Sequence, residues 1–232
     1  MESHQRYLPH YYPTGVPIFV TFRTKDSLSP ELNAEVSNRY QKEKREIEKY
    51  DPSIRNASLK ELNKKYFYLL DSYCDSNNDE GINLANYASS TLIKQSILYY
   101  PDDVVRVFCF TIMRNHVHLL IMFPQGAPLF NGKVLNLPDY IHNVKGFTGK
   151  KINEVEKSKG NLWMREYYDV VIRSDEHMCR TIHYILMNPV KVGICKNFHE
   201  TENNYWNEGL IKSYTGFEVR ELIRYYSSDQ LF

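Results

Sequence analysis

Cysteine pairing is missing from this chain. Its four cysteines, Cys74, Cys109, Cys179 and Cys195, never fall in a CxxC spacing, which speaks against a zinc ribbon or a disulfide framework and for a reducing compartment. Long apolar runs are also missing: none approaches the ~18 residues that would mark a membrane span, and the opening MESHQRYLPHYYP has no apolar leader segment. A cytoplasmic setting is the expectation. An excess of one charge is absent too. With 29 basic and 28 acidic residues the formal net charge is +1, so a polyanionic partner has to be sought in local patches rather than in the whole chain. There are no internal repeats.

What is present is an ordinary globular composition with many tyrosines, 19 in 232 residues. The length suits one domain, 1–232, with an insertion at 28–80 and a C-terminal cover at 201–232. Ile18–Thr24 is rich in β-branched and aromatic residues and reads as a strand. Segment 28–80 is polar and charged, but Leu59, Leu62, Tyr66, Leu69 and Leu70 recur at helical spacing, predicting a helical arm that ends in the loop SNNDEG. Leu84–Tyr99 reads as an amphipathic helix. Two apolar runs, 104–113 and 117–123, separated at Arg114-Asn115, predict an antiparallel hairpin in mid-sheet. Leu137–Val155 reads as a basic helix and Trp163–Arg173 as extended chain. Ser174 caps a helix over Asp175–Met187, expected to stop at Asn188-Pro189 because the residue before proline disfavours helix. The order predicts an α+β sandwich of ferredoxin-like or RRM-like kind: a mainly antiparallel sheet, helices on one face, and a helical insertion.

In Asn115-His116-Val117-His118-Leu119 two histidines alternate with apolar residues. On a strand, side chains at i and i+2 share a face, so the two imidazoles would project together as a bidentate metal clamp. A bare pair of this kind is more often two polar residues on a solvated sheet face. On the later helix Tyr184 and Asn188 stand at i and i+4, on one face. Alone, Tyr184 reads as a packed aromatic and Asn188 as a helix-ending residue before Pro189.

Taken in order, the motifs are more specific. MRNHVHLLIMFP resembles the MPNHVHLL signature of the HUH single-tyrosine transposases, which include insertion-sequence transposases and the REP-associated tyrosine transposases. GVPIFVTFR looks like that family's first strand, VKGFTGKKIN like its central basic helix, LWMREYYDVVIRSDEH like the segment before its last core helix, and HYILMNPVKVGI like its YIxxNPVxxG motif. The resemblance covers roughly residues 7–24 and 84–200 and leaves out the arm and the tail. Arg114 replaces the signature's proline in a turn and removes no ligand.

The resemblance implies a DNA transposase: metal-dependent cleavage and rejoining of single-stranded, hairpin-bearing DNA through a 5′-phosphotyrosine. It implies Tyr184 as nucleophile and His116, His118 and Asn188 as ligands of a divalent ion, Mg2+ or Mn2+. Tyr167 and Tyr168 compete for the nucleophile's role, but adjacent residues in extended chain face opposite ways. Lys145, Lys150, Lys151, Arg165, Arg173 and Lys191 are candidate DNA contacts, though any one of them is as readily a solvated charge. A homodimer stays open, since relatives act as dimers or as monomers. A nuclease using water at the same ion, or a hairpin-binding protein whose chemistry has lapsed, are the rival functions. The implied localisation is cytoplasmic, at the nucleoid when on DNA.

Overall fold

The computed structural model describes residues 13–76 and 81–226; residues 7–12 of the first-strand motif, 77–80 of the predicted loop and 227–232 of the tail lie outside them. Five strands form one sheet: β1 (Ile18–Arg23), β2 (Arg106–Ile112), β3 (His116–Met122), β4 (Tyr168–Val171) and β5 (Asn204–Trp206). Their order is β4-β1-β3-β2-β5 with every neighbour antiparallel. Helices α3 (Tyr87–Ile97) and α4 (Leu137–Val155) provide the two crossovers. The first four strands and these helices make the split β-α-β-β-α-β arrangement of ferredoxin-like folds, as the element order predicted.

Strand alternation sorts the core into two layers. Val20, Phe22, Val117, Leu119 and Ile121 pack under α3 and α4 with Ile93, Ile97, Tyr140, Ile141 and Val144. Phe19, Leu120 and Met122 face the other way, onto Ile182, Ile185 and Leu186 of α5 (Asp175–Lys191). Helices therefore cover both faces, where the sequence predicted one. The second layer covers the other face of β3, whose seven residues are all buried, so neither face is free for water. The tail also does more than cover: β5 extends the sheet beside β2, and α6 (Glu208–Thr215) and α7 (Val219–Tyr225) bury Ile211, Val219 and Leu222 against α5.

Within segment 28–80 the described residues form two helices. Helix α1 (Pro30–Ile47) and helix α2 (Pro52–Ser76) pair around Val36, Leu62 and Tyr66. The pair is pinned by Tyr40 donating to Asn63 at 2.8 Å, and by Glu43 receiving Tyr66 at 2.9 Å and Lys65 at 2.6 Å.

One boundary differs with a consequence for the site. Helix α5 does not stop at Asn188 but carries Pro189 inside it and runs to Lys191, ending as Gly193 takes a φ of +76°. Proline forfeits one helical hydrogen bond, yet the buried stripe of Ile182, Ile185 and Leu186 holds the helix to the sheet past that point. Asn188 is consequently in true helical register with Tyr184. No helix among the described residues is long and apolar enough to cross a membrane.

Candidate metal and nucleophile site

Four side chains meet on the α5 face of the sheet. His116 and His118 project together from β3, with their Nε2 atoms 3.1 Å apart. Each ring is held from behind. His118 Nδ1 is 2.7 Å from Thr21 Oγ1, its direct cross-strand neighbour, and the ring stacks on Phe19 at 5.8 Å. His116 Nδ1 is 2.7 Å from Asn115 Oδ1. From α5, Asn188 brings its amide within 3.2 Å of His118 Nε2, and the Tyr184 ring sits 5.2 Å from the His118 ring. All four residues are buried, none more than 4% exposed.

A fifth residue joins them that the motifs did not include. Tyr184 donates its hydroxyl hydrogen to Asp71 Oδ2, and Asp71 Oδ1 lies 3.2 Å from His118 Nε2 and 3.8 Å from His116 Nε2. Asp71 comes from α2, inside the arm that reads as polar surface helix. Its sequence signal is weak: a lone aspartate beside the helical stripe of Leu69 and Leu70. Asp75, one turn on, places Oδ1 3.8 Å from His116 Nε2 and pairs with Lys191 at 2.9 Å.

Electrostatics follow from burial. Burial and the neighbouring His118 push the His116 imidazole down to about 3, so it is neutral near pH 7. Burial works against ionising Asp71, but His118, His116 and the Tyr184 hydroxyl outweigh it and hold the carboxyl below its usual range. Burial, then the Asp71 charge, push the Tyr184 phenol well above its ordinary value.

These residues fit a divalent ion. Asp71, His116 and His118 each offer a ligand atom, all within 4.8 Å of one another. Asp71 Oδ1 and Asn188 Oδ1 are both buried without a hydrogen bond, and a half-turn of the Asn188 amide exchanges its nitrogen for that oxygen. Two imidazole nitrogens with amide and carboxylate oxygens suit Mg2+ or Mn2+ as well as later metals.

The remaining predicted residues divide. Tyr168 shares the histidine face, paired with Thr21, but its ring stacks on Phe67 at 4.4 Å; Tyr167 packs against the opposite core layer. Arg165 and Arg173 are exposed on the wall of a groove of about 1290 Å³ whose lining reaches His116 and Asp71, and Lys191 sits at the site itself. Lys150 and Lys151 belong to α4, across the sheet from the histidines; Lys150 is exposed and Lys151 pairs with Glu154 at 2.8 Å. Lys145, the remaining candidate contact on α4, is engaged within the chain. Its ammonium donates to the carbonyls of Met164, Arg165 and Glu166 at 2.9, 3.2 and 3.2 Å, tying α4 to the chain before β4.

No family model matches the chain. A protein of Haemophilus influenzae, whose curated name places it among the REP-associated tyrosine transposases, is 24% identical over 102 residues. This chain resembles the REP-associated tyrosine transposases. The resemblance read from the motifs therefore holds. The alignment takes in 43% of this chain and 56% of the relative, so the chain spans little more than half the relative's length. A solved structure of a REP-associated tyrosine transposase bound to a REP hairpin aligns over 90% of this chain and 88% of its own, with a TM-score of 0.47 and 15% sequence identity. That likeness is too loose to bear on function.

Proposed function

We propose that this chain is a metal-dependent, tyrosine-nucleophile enzyme that cleaves and rejoins single-stranded, hairpin-bearing DNA, as one domain with an arm. The observation that carries the reading is convergence. His116 and His118 from a mid-sheet strand and Asn188 from a helix far along the chain meet with ring and amide atoms about one hydrogen-bond length apart, with the Tyr184 ring 5.2 Å from that of His118, where the motif resemblance expected a metal centre and its nucleophile.

His116, His118 and Asn188 would hold a divalent ion, Mg2+ or Mn2+, which when bound would supply positive charge against the negative charge of a scissile phosphate. The chain's own groups do the rest. His116 arrives neutral, and both rings are already oriented by Asn115 and Thr21, so neither has to search rotamers. Tyr184 Oη is the attacking atom. Its new bond to phosphorus replaces the bond to the 3′ oxygen, which leaves as an alkoxide and becomes a 3′-OH by taking up one proton, balancing the one the phenol gives up. The 5′-phosphotyrosine retains the energy of a phosphodiester, so a DNA 3′-OH can reverse the step without a nucleotide cofactor. In the state described here the phenol keeps its proton tightly, because burial and the Asp71 charge both favour the neutral form. Attack therefore requires that proton to leave the phenol. Arg165 and Arg173, on the groove wall, are placed to follow a phosphate backbone.

Incubation with a single-stranded hairpin oligonucleotide and Mn2+, followed by a denaturing gel, tests the reading. A slowed protein band carrying DNA is the expected result. Cleaved DNA without that band points to a water-using nuclease, and hairpin binding without cleavage points to lapsed chemistry.

A further inference from the structure

The α1–α2 arm lies outside the transposase motifs, yet its inner face enters the site twice. Asp71, with its side chain only 2% exposed, points Oδ1 at both histidines while accepting no hydrogen bond on that atom. Three residues on, the Cys74 carbonyl accepts a hydrogen from Asn115 Nδ2 at 2.9 Å. That contact settles which end of the Asn115 amide faces His116: the oxygen, 2.7 Å from Nδ1. An amide oxygen only accepts, so the hydrogen resides on His116 Nδ1 and its Nε2 presents a bare lone pair. The arm thus selects the metal-binding tautomer of one histidine and adds a carboxylate oxygen beside it. A lone pair and a carboxylate oxygen 3.8 Å apart in a buried site repel each other, and a cation between them removes the repulsion.

We propose that Asp71 is itself a ligand of the divalent ion, and that ion binding locks the α1–α2 arm onto the body of the protein. The inference rests on the reading of His116 and His118 as metal ligands. It also gives the neighbouring groove a moving wall. Tyr40 and Tyr66 line it from the arm, Arg165 and Arg173 from the body, and Asp71 and His116 reach its lining. Occupation of the metal site then sets how tightly that groove is closed, and links the ion to the burial of Tyr184.

The test uses the full chain and Mn2+ alone, without DNA. Hydrogen exchange in the last turns of α2 should slow on saturation with Mn2+, by roughly tenfold or more. By calorimetry, Asp71→Asn should bind Mn2+ on the order of 10–100-fold more weakly. Asp71→Cys, which keeps a coordinating group but a soft one, should move preference from Mn2+ toward Cd2+; a merely structural aspartate would not do that. Exchange in α2 that ignores Mn2+ overturns the proposal. So does an Asp71→Asn protein with wild-type affinity when His116→Ala has lost binding, a result that leaves the histidine site standing. If His116→Ala also binds normally, the metal reading and the arm's role fall together.

Discussion

Tyr184 gives its hydroxyl hydrogen to Asp71, a residue 113 positions earlier in the chain and on a different helical unit. A phenol so held is a poor nucleophile at rest, since the carboxylate stabilises the protonated form. It is also an oriented one, because the hydrogen bond and the Phe19 and Phe67 rings, 6.0 and 6.1 Å away, fix its direction. Under the proposed function, the site separates holding Tyr184 from activating it.

Removing the hydroxyl should abolish covalent capture without unfolding the protein. Tyr184→Phe keeps the ring and its packing, so the thermal midpoint should move little, while the adduct on a denaturing gel disappears. Tyr168→Phe and Tyr167→Phe should still form it. An adduct that persists in Tyr184→Phe would transfer the nucleophile's role to one of those two.

The histidine pair should govern metal affinity. His118→Ala, which removes a proposed ligand, should weaken Mn2+ binding by ~100-fold or more, whereas Thr21→Val, which only loosens the ring from behind, should cost nearer ~10-fold. Titration calorimetry would read both. Equal affinity in all three proteins would show that the ion, if bound, sits elsewhere.

Acid should destabilise the fold before its carboxylates titrate. His116 stays neutral in the fold down to about pH 3, while in the unfolded chain it takes a proton below its ordinary value of 6.5. A lowered folded value means stability is complete above 6.5 and declines as pH falls toward 3, by at most about 1.4 kcal/mol per pH unit. Asp71, also held low, adds loss in the same direction at the acid end. Asp75, raised by burial and by Asp71, offsets part of it. Urea midpoints at pH 7, 5.5 and 4 should fall in that order, and less steeply in a His116→Phe protein. A flat profile in the parent would mean that His116 is protonated in the fold.

The arm should depend on Phe67. That side chain is 4% exposed and packs on Tyr168 and Phe19, so Phe67→Ala should cost about 3–5 kcal/mol of contact. The loss should appear as fast proteolysis of α1 and α2 ahead of the sheet. Uniform loss of the whole fold would instead make arm and body one cooperative unit.

Local rules alone determined a good deal. Alternation in Asn115–Leu119 put both imidazoles on one face, which follows from backbone geometry alone; four-residue spacing put Tyr184 and Asn188 on one face provided the helix reached Asn188. The ferredoxin-like order likewise follows from where apolar period two gives way to period three and a half. Tertiary structure decided the remainder. Helix α5 passes through Pro189 because packing outweighs a local preference, and Lys145 turns to carbonyls because the chain before β4 crosses it. Asp71 became part of the site only when α2 came to rest across β3 and α5. A single carboxylate on a charged helix looks the same in sequence whether water or two histidines will face it, since the difference lies in which distant surface closes over it.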